Sequence, residues 1–298
     1  MKNNCKFAIP FRNMKNMKAF RTVFAGFFLL FTATLLMTSC NNPGKQDKEA
    51  NQATADTIKK DVNLNPENRN LLYQFPTPFE VTMMLQRAKA GFIFTLTNSP
   101  ANVTKYSTEK AKALNLGIYS ADLAYSATYN RTDESNKFLE CTGKLANELG
   151  IAGIYDQSFF GKVKKYNNNK DSLINMVSRI FSLTNDFLSK NNRNQIAVLV
   201  ATGGFVEGLY LTAFLNQSAV DNKSISTIIF KQKDNLDKLV TILTAYNMDS
   251  DLKPIGDEVS KLKAIYTNYG LAPDKKLPLQ QAGEIADLAE SVRLTLVK

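Results

Sequence analysis

From about residue 77 to the end of the chain, apolar side chains return every three or four positions, the spacing of helices with one buried face. The first helix has a legible start in Phe75-Pro76-Thr77-Pro78-Phe79-Glu80. Thr77 suits a helix cap, Pro78 the first helical position, and Glu80 the return bond of a capping box. Val81, Met84, Leu85 and Ala88 then share a face, and the helix is expected to fail near Gly91. Residues 92–96 (FIFTL) fit either a buried strand or the entry to the next turn. Beyond Pro100 the pattern predicts helices over 102–113, 116–130, 133–149, 154–166, 171–190, 194–216, 222–247, 250–269 and 279–297. Gly150, residues 167–169 (NNN), Asn191-Asn192, Asp221-Asn222 and Pro273-Asp274 supply the breaks. Alternating strand patterns are scarce, and no repeat of the tetratricopeptide or ankyrin kind is present. The expected architecture for residues 71–298 is therefore all-α: a multi-helix antiparallel bundle or a short stack of helical hairpins, because short connectors favour antiparallel neighbours.

One predicted helix is apolar all round. Residues 196–215 (IAVLVATGGFVEGLYLTAFL) are long enough to span a bilayer. Glu207 inside the segment, the pair Gly203-Gly204 and the amphipathic neighbours favour a central buried helix instead. Gly204 and Gly208, four apart, would let another helix approach closely on that face.

The N-terminal quarter has a different pattern. Residues 1–39 carry a basic start, an apolar run over 23–37 (VFAGFFLLFTATLLM) and small residues before Cys40, the three zones of a secretory signal peptide. The run of about fifteen residues suits a signal core better than the ~20 needed to cross a bilayer. The long basic start also leaves the initiating residue open among Met1, Met14 and Met17. The stretch Leu36-Met37-Thr38-Ser39-Cys40 resembles the lipobox of bacterial lipoproteins, with Met37 where Leu is usual. That resemblance implies cleavage before Cys40, lipid attached to it, and a membrane as partner. Asn41 stands where an Asp would favour inner-membrane retention in enteric lipoproteins, so the resemblance points to the outer membrane, with the leaflet open. Residues 40–70 then turn polar and read as the lipidated cysteine and a flexible tether reaching about 30 Å.

This division changes the meaning of the charge. The whole chain is formally +10. Lys2, Lys6, Arg12, Lys15, Lys18 and Arg21 all precede Cys40 and meet no acid there, so a mature chain keeps 31 basic against 27 acidic side chains, a net +4. Nucleic-acid binding is disfavoured by that small charge and by export. Cys5 and Cys40 belong to the signal and the anchor, which leaves Cys141 alone in the mature chain as a small core residue.

Candidate chemistry is sparse. The chain has no His and no Trp, so a histidine-ligated metal or haem is excluded, and no cofactor is expected. Phosphate-loop and nucleophile motifs are missing, and no catalytic residue can be assigned. What remains is polar residues set in apolar helices: Asp122, Tyr125 and Tyr129 on one helical face, and Glu207 with Tyr210 in the central helix. They read either as a ligand pocket or as internal pairing of tyrosines and acids with Arg131, Arg87 or Arg179 as counter-ions. Two facing carboxyls would raise one pKa and provide an acid and a base.

Asp56-Thr57-Ile58 and Asp171-Ser172-Leu173 match the Asp-Ser/Thr-aliphatic pattern of Bacteroidota O-glycosylation, which makes Thr57 and Ser172 candidate acceptors. Asp171 or Ser172 serves equally as a helix cap. Through FPTPFEV (75–81), ALNLGIYSADLAY (113–125), KDSLIN (170–175) and GGFVEGLYL (203–211), the chain resembles uncharacterised all-helical lipoproteins of Bacteroidota. The resemblance implies a helical envelope protein and supplies no activity. Three roles are open: a non-catalytic binding or scaffold module for an envelope partner, a carrier of a small apolar ligand, and a carboxylate-based hydrolase or lyase.

Overall fold

The computed structural model describes residues 65–75, 77–155, 158–159, 161–162, 170–219, 221–246, 249–270 and 276–298. Cys40, Thr57 and the signal and tether expected before residue 65 lie outside the described residues, as does most of the helix expected over 154–166. The described part is an all-α helical bundle. Its helices are α1 (Pro66–Tyr73), α2 (Pro78–Arg87), α3 (Glu109–Thr128), α4 (Thr132–Glu148), α5 (Lys170–Lys190), α6 (Asn194–Ser218), α7 (Lys223–Thr244), α8 (Lys253–Tyr269) and α9 (Leu279–Leu296).

Local chemistry sets most of the ends. Asn65 caps α1 by accepting the Asn68 N–H at 2.7 Å, with Pro66 at the first position, so ordered helix begins inside the stretch read as polar tether. Thr77 and Pro78 start α2 as expected, but the Thr77 hydroxyl makes no cap bond and the capping box does not form. The helix stops before Gly91, where Lys89 turns left-handed (φ 57°) and Ala90 N–H returns to Leu85 O, a Schellman-type closure. Asn192 and Gly150 make the expected turns after α5 and α4, both at positive φ.

The largest departure concerns residues 92–130. Phe94–Leu96 and Pro100–Thr104 are 3₁₀ turns, not a strand or the start of a long helix. The break expected near residue 115 is absent, and α3 runs unbroken from Glu109, capped by Thr108. Asn115, in the expected gap, and Gly117, just after it, each have a packing role inside the helix. Asn115 Nδ2 donates to Ala111 O and to Leu296 O in α9. A Cβ at Gly117 would sit 2.0 Å from Val200 O, so only glycine lets α3 and α6 meet there.

Where α3 packs on α4 and α7 on α8 the partners are antiparallel, whereas α2 runs parallel to α3, with Thr82 bonded to Thr128 and Gln86 to Thr128 O. Tyr119 stacks on Phe138 while Ser135 Oγ reaches Ser126 across α3 and α4. Asp237 pairs with Lys263 and Tyr266 donates to Ile229 O across α7 and α8. The two central helices, α3 and α6, also run parallel: Glu109 meets Arg193 at one end, Leu114 and Gly117 meet Gly203 and Gly204, and Asp122 meets Glu207. The close approach uses Gly203 and Gly204; Gly208 faces Val81 at ordinary distance, so the pair Gly204 and Gly208 expected to form the contact is only half right. α6 is the core helix: its most apolar window is 94% buried among the others.

Candidate functional site

Between α2 and α3 the chain runs back along α3 as an extended strap, and the tyrosines of α3 hold it. Tyr129 donates to Ala90 O at 2.7 Å. Tyr125 donates to Gly91 O at 3.0 Å and accepts the Ile93 N–H at 2.9 Å. Tyr119 donates to Ser99 O at 2.8 Å. Phe92 closes over the Tyr125 and Tyr129 rings, with Arg131 stacked 5.4 Å above it. Tyr125 and Tyr129 thus share a face as expected, and their hydroxyls are spent on the main chain of the strap. Burial pushes the Tyr125 hydroxyl up to about 12 against the Ile93 bond, and raises Tyr129 as well.

Asp122, Glu207 and Tyr210 gather around a residue the sequence reading did not include, Arg293 of α9. Its guanidinium holds Glu207 with two bonds, Nε to Oε2 at 2.5 Å and Nη2 to Oε1 at 3.0 Å, lies 4.5 Å over the Tyr210 ring, and reaches Leu96 O in the strap. The counter-ion is therefore none of the three arginines expected. Arg131 pairs with Glu134, while Arg87 and Arg179 are exposed. The clue was available: Ile285, Ala289, Val292 and Leu296 form the buried stripe of α9, and Arg293 falls on it.

Asp122 and Glu207 are both fully buried. Asp122 Oδ2 accepts the Asn98 N–H at 3.0 Å, but Oδ1 receives no donor. It faces the Glu207 carboxylate within hydrogen-bond reach, a contact that becomes a bond only when one carboxyl carries a proton. Burial raises Asp122 well above the usual carboxylate range and the Glu207 charge raises it further, so Asp122 holds the proton. Burial also raises Glu207, and Arg293 together with the Asp122 hydrogen bond pulls it back toward the ionised form. Burial alone would lower Arg293, but the charge and hydrogen bonds of Glu207 outweigh that and keep it cationic. Around them Asn98 Nδ2 donates to Tyr106 Oη at 2.9 Å and Asn115 Oδ1 at 3.4 Å, joining two further residues the sequence reading missed. Cys141 is buried with its thiol pushed up to about 12 by burial and then by Asp122, which suits a packing role.

The cluster can share a proton between two carboxyls, as expected of facing acids, but it is sealed by its own partners. Two small cavities of about 10 Å³ each, room for about one water, lie elsewhere. Phe79, Ser120 and Tyr155 line one; Phe75, Gly204 and Gln232 line the other. None of Asp122, Tyr125, Tyr129, Glu207 and Tyr210 lines either. Ser172 lies in the first turn of α5, half-buried; the helix starts at Lys170, so neither Asp171 nor Ser172 is its cap. Among the described residues no three acids or cysteines gather as metal ligands. No protein-family model, curated protein or solved structure matches the chain.

Proposed function

We propose that the chain is a lipid-anchored cell-envelope protein, held at Cys40 and belonging to the outer membrane, whose helical domain is a non-catalytic binding or scaffold module acting through its outer surface. The observation that carries the second half is the internal use of every candidate pocket side chain. Asp122, Glu207 and Tyr210 are consumed by Arg293, and Tyr125 and Tyr129 by the strap. A carrier that encloses a drug-sized apolar ligand needs several hundred Å³ of internal pocket, against the one-water spaces found inside the bundle. The anchoring half rests on the basic start, apolar run and Leu36-Met37-Thr38-Ser39-Cys40.

Intact-mass and native mass spectrometry on the detergent-extracted protein from a Bacteroidota host tests both halves. The expected denatured mass is that of a chain beginning at Cys40 plus a diacylglyceryl group with further acyl chain, lost in Cys40→Ala. Native conditions should add no discrete small mass other than that of a phospholipid. A chain retaining residues 1–39 without lipid sinks the anchoring, and a ligand mass other than a phospholipid's, seen only in the native spectrum, replaces the scaffold reading with the carrier. Hexose increments in the same spectrum would score Thr57 and Ser172.

A further inference from the structure

Where α2 ends beside the start of α7, a surface groove of about 280 Å³ separates the two helices. Its floor is apolar, made by Met84, Ala88 and Ile228, while Arg87 and Lys231 stand on the rim beside Ser224 and Thr227. The junction is fixed: Asn222 Nδ2 donates to Ala88 O at 2.6 Å, and its Oδ1 caps α7 by accepting the Ser224 and Ile225 N–H groups. Arg87 and Lys231 are exposed and join no ion pair among the described residues. Lys223 continues the stripe one turn before Thr227 and is also unpaired. The acids nearby do not neutralise them. Asp221 is taken by Lys276, and Asp234, three positions after Lys231, is exposed and makes no bridge to it.

An apolar trough with uncompensated cations along its rim is complementary to an amphiphilic anion. The path of the chain narrows the source. α1, the first described helix, packs against α7, the helix that forms one wall of the groove. We propose that the groove seats the headgroup of an anionic phospholipid, its phosphate between Arg87 and Lys231 and its glycerol and first acyl carbons on Met84, Ala88 and Ile228. The inference rests on the proposed anchoring, since the tether keeps the domain within reach of a lipid surface.

The test uses the mature-length chain from residue 40 carrying Cys40→Ser, so that no acyl anchor brings it to lipid and the outcome is independent of whether Cys40 is modified in cells. Co-sedimentation is measured with phosphatidylglycerol vesicles and with phosphatidylcholine vesicles. Binding is expected to the first alone and to weaken with salt. Each cation near such a surface is worth about fivefold in partitioning. Arg87→Glu/Lys231→Glu should therefore lose about 25-fold or more, and Lys137→Glu/Lys190→Glu, of equal charge on α4 and α5, far less. Equal losses in the two variants would mean net charge alone, and would overturn the site, as would equal binding to phosphatidylcholine or none to either. Release by inorganic phosphate at constant ionic strength would make the ligand free phosphate and overturn the lipid assignment.

Discussion

Asp122 is the residue whose state most depends on its neighbours. A buried carboxylate beside another carboxylate is costly, and the fold avoids the cost by keeping Asp122 neutral and using its proton as the bond to Glu207. A carboxyl whose folded pKa lies above its unfolded value, about 3.9 for Asp, contributes stability that is complete below that value and is lost as pH rises through the folded one. Asp122→Asn keeps an acceptor for Asn98 and a donor for Glu207 without a titrating proton. The stability of the wild type relative to Asp122→Asn is therefore expected to fall as pH rises above about 4, with a slope approaching ~1.4 kcal/mol per pH unit between the two pKa values. Urea unfolding of both proteins across pH measures this difference, in which the exposed acids cancel. A difference that does not change with pH would show that Asp122 is ionised in the folded protein.

At the level of the elements, the glycines of α3 and α6 decide how closely the parallel pair can pack. A Cβ at Gly203 would stand 1.9 Å from Leu114 O, and one at Gly117 2.0 Å from Val200 O, both rigid main-chain atoms. Gly208 has its nearest neighbour at 3.8 Å, the side-chain Cγ1 of Val81. Ala at 117 or 203 is expected to destabilise by at least the ~1–3 kcal/mol of core overpacking, whereas Ala at 208 should be neutral or slightly stabilising through helix propensity. Thermal unfolding of the three variants ranks them, and a Gly208→Ala loss as large as the others would misplace the contact. This contrast marks what the sequence could carry. Helix periods and caps are local, so α4 to α9 were legible to within a few residues, and α6 was recognisable as core from its all-round apolarity and Glu207. Long-range partners are not local. The gap expected between 113 and 116 falls where Asn115 reaches Leu296, a partner far along the chain, and Arg293 was passed over because its Glu207 is 86 residues away. The run 92–96 stayed ambiguous because its own backbone bonding is a single 3₁₀ turn, Leu96 N–H to Ile93 O, and its other ties are to distant side chains, Ile93 N–H to Tyr125 and Leu96 O to Arg293.

In the molecule as a whole, the polar cluster joins four segments distant in sequence: the strap at Leu96 and Asn98, α3 at Asp122, α6 at Glu207, and the last helix at Arg293. α3 and α6 lie at the centre of that network, with nearly every residue of 113–128 and 196–213 buried. α8 lies at its margin, packed on α7 and α9 with Lys253, Asp257 and Lys261 on its exposed face and Tyr266 as its main internal bond. Opening free energies should follow this order, because an element opens locally when it carries few of the bonds that tie distant segments together. Native-state hydrogen exchange is expected to show amides of 113–128 and 196–213 protected to the full unfolding free energy, and those of 253–269 exchanging through a smaller opening. Arg293→Met should lower the α9 amides toward the α8 level, since Glu207 would lose its counter-charge and α9 its tie to α6. If 279–296 instead kept global protection in that variant, the apolar stripe of Ile285, Ala289, Val292 and Leu296 would suffice to dock the last helix, leaving the ion pair to solvate Glu207 alone.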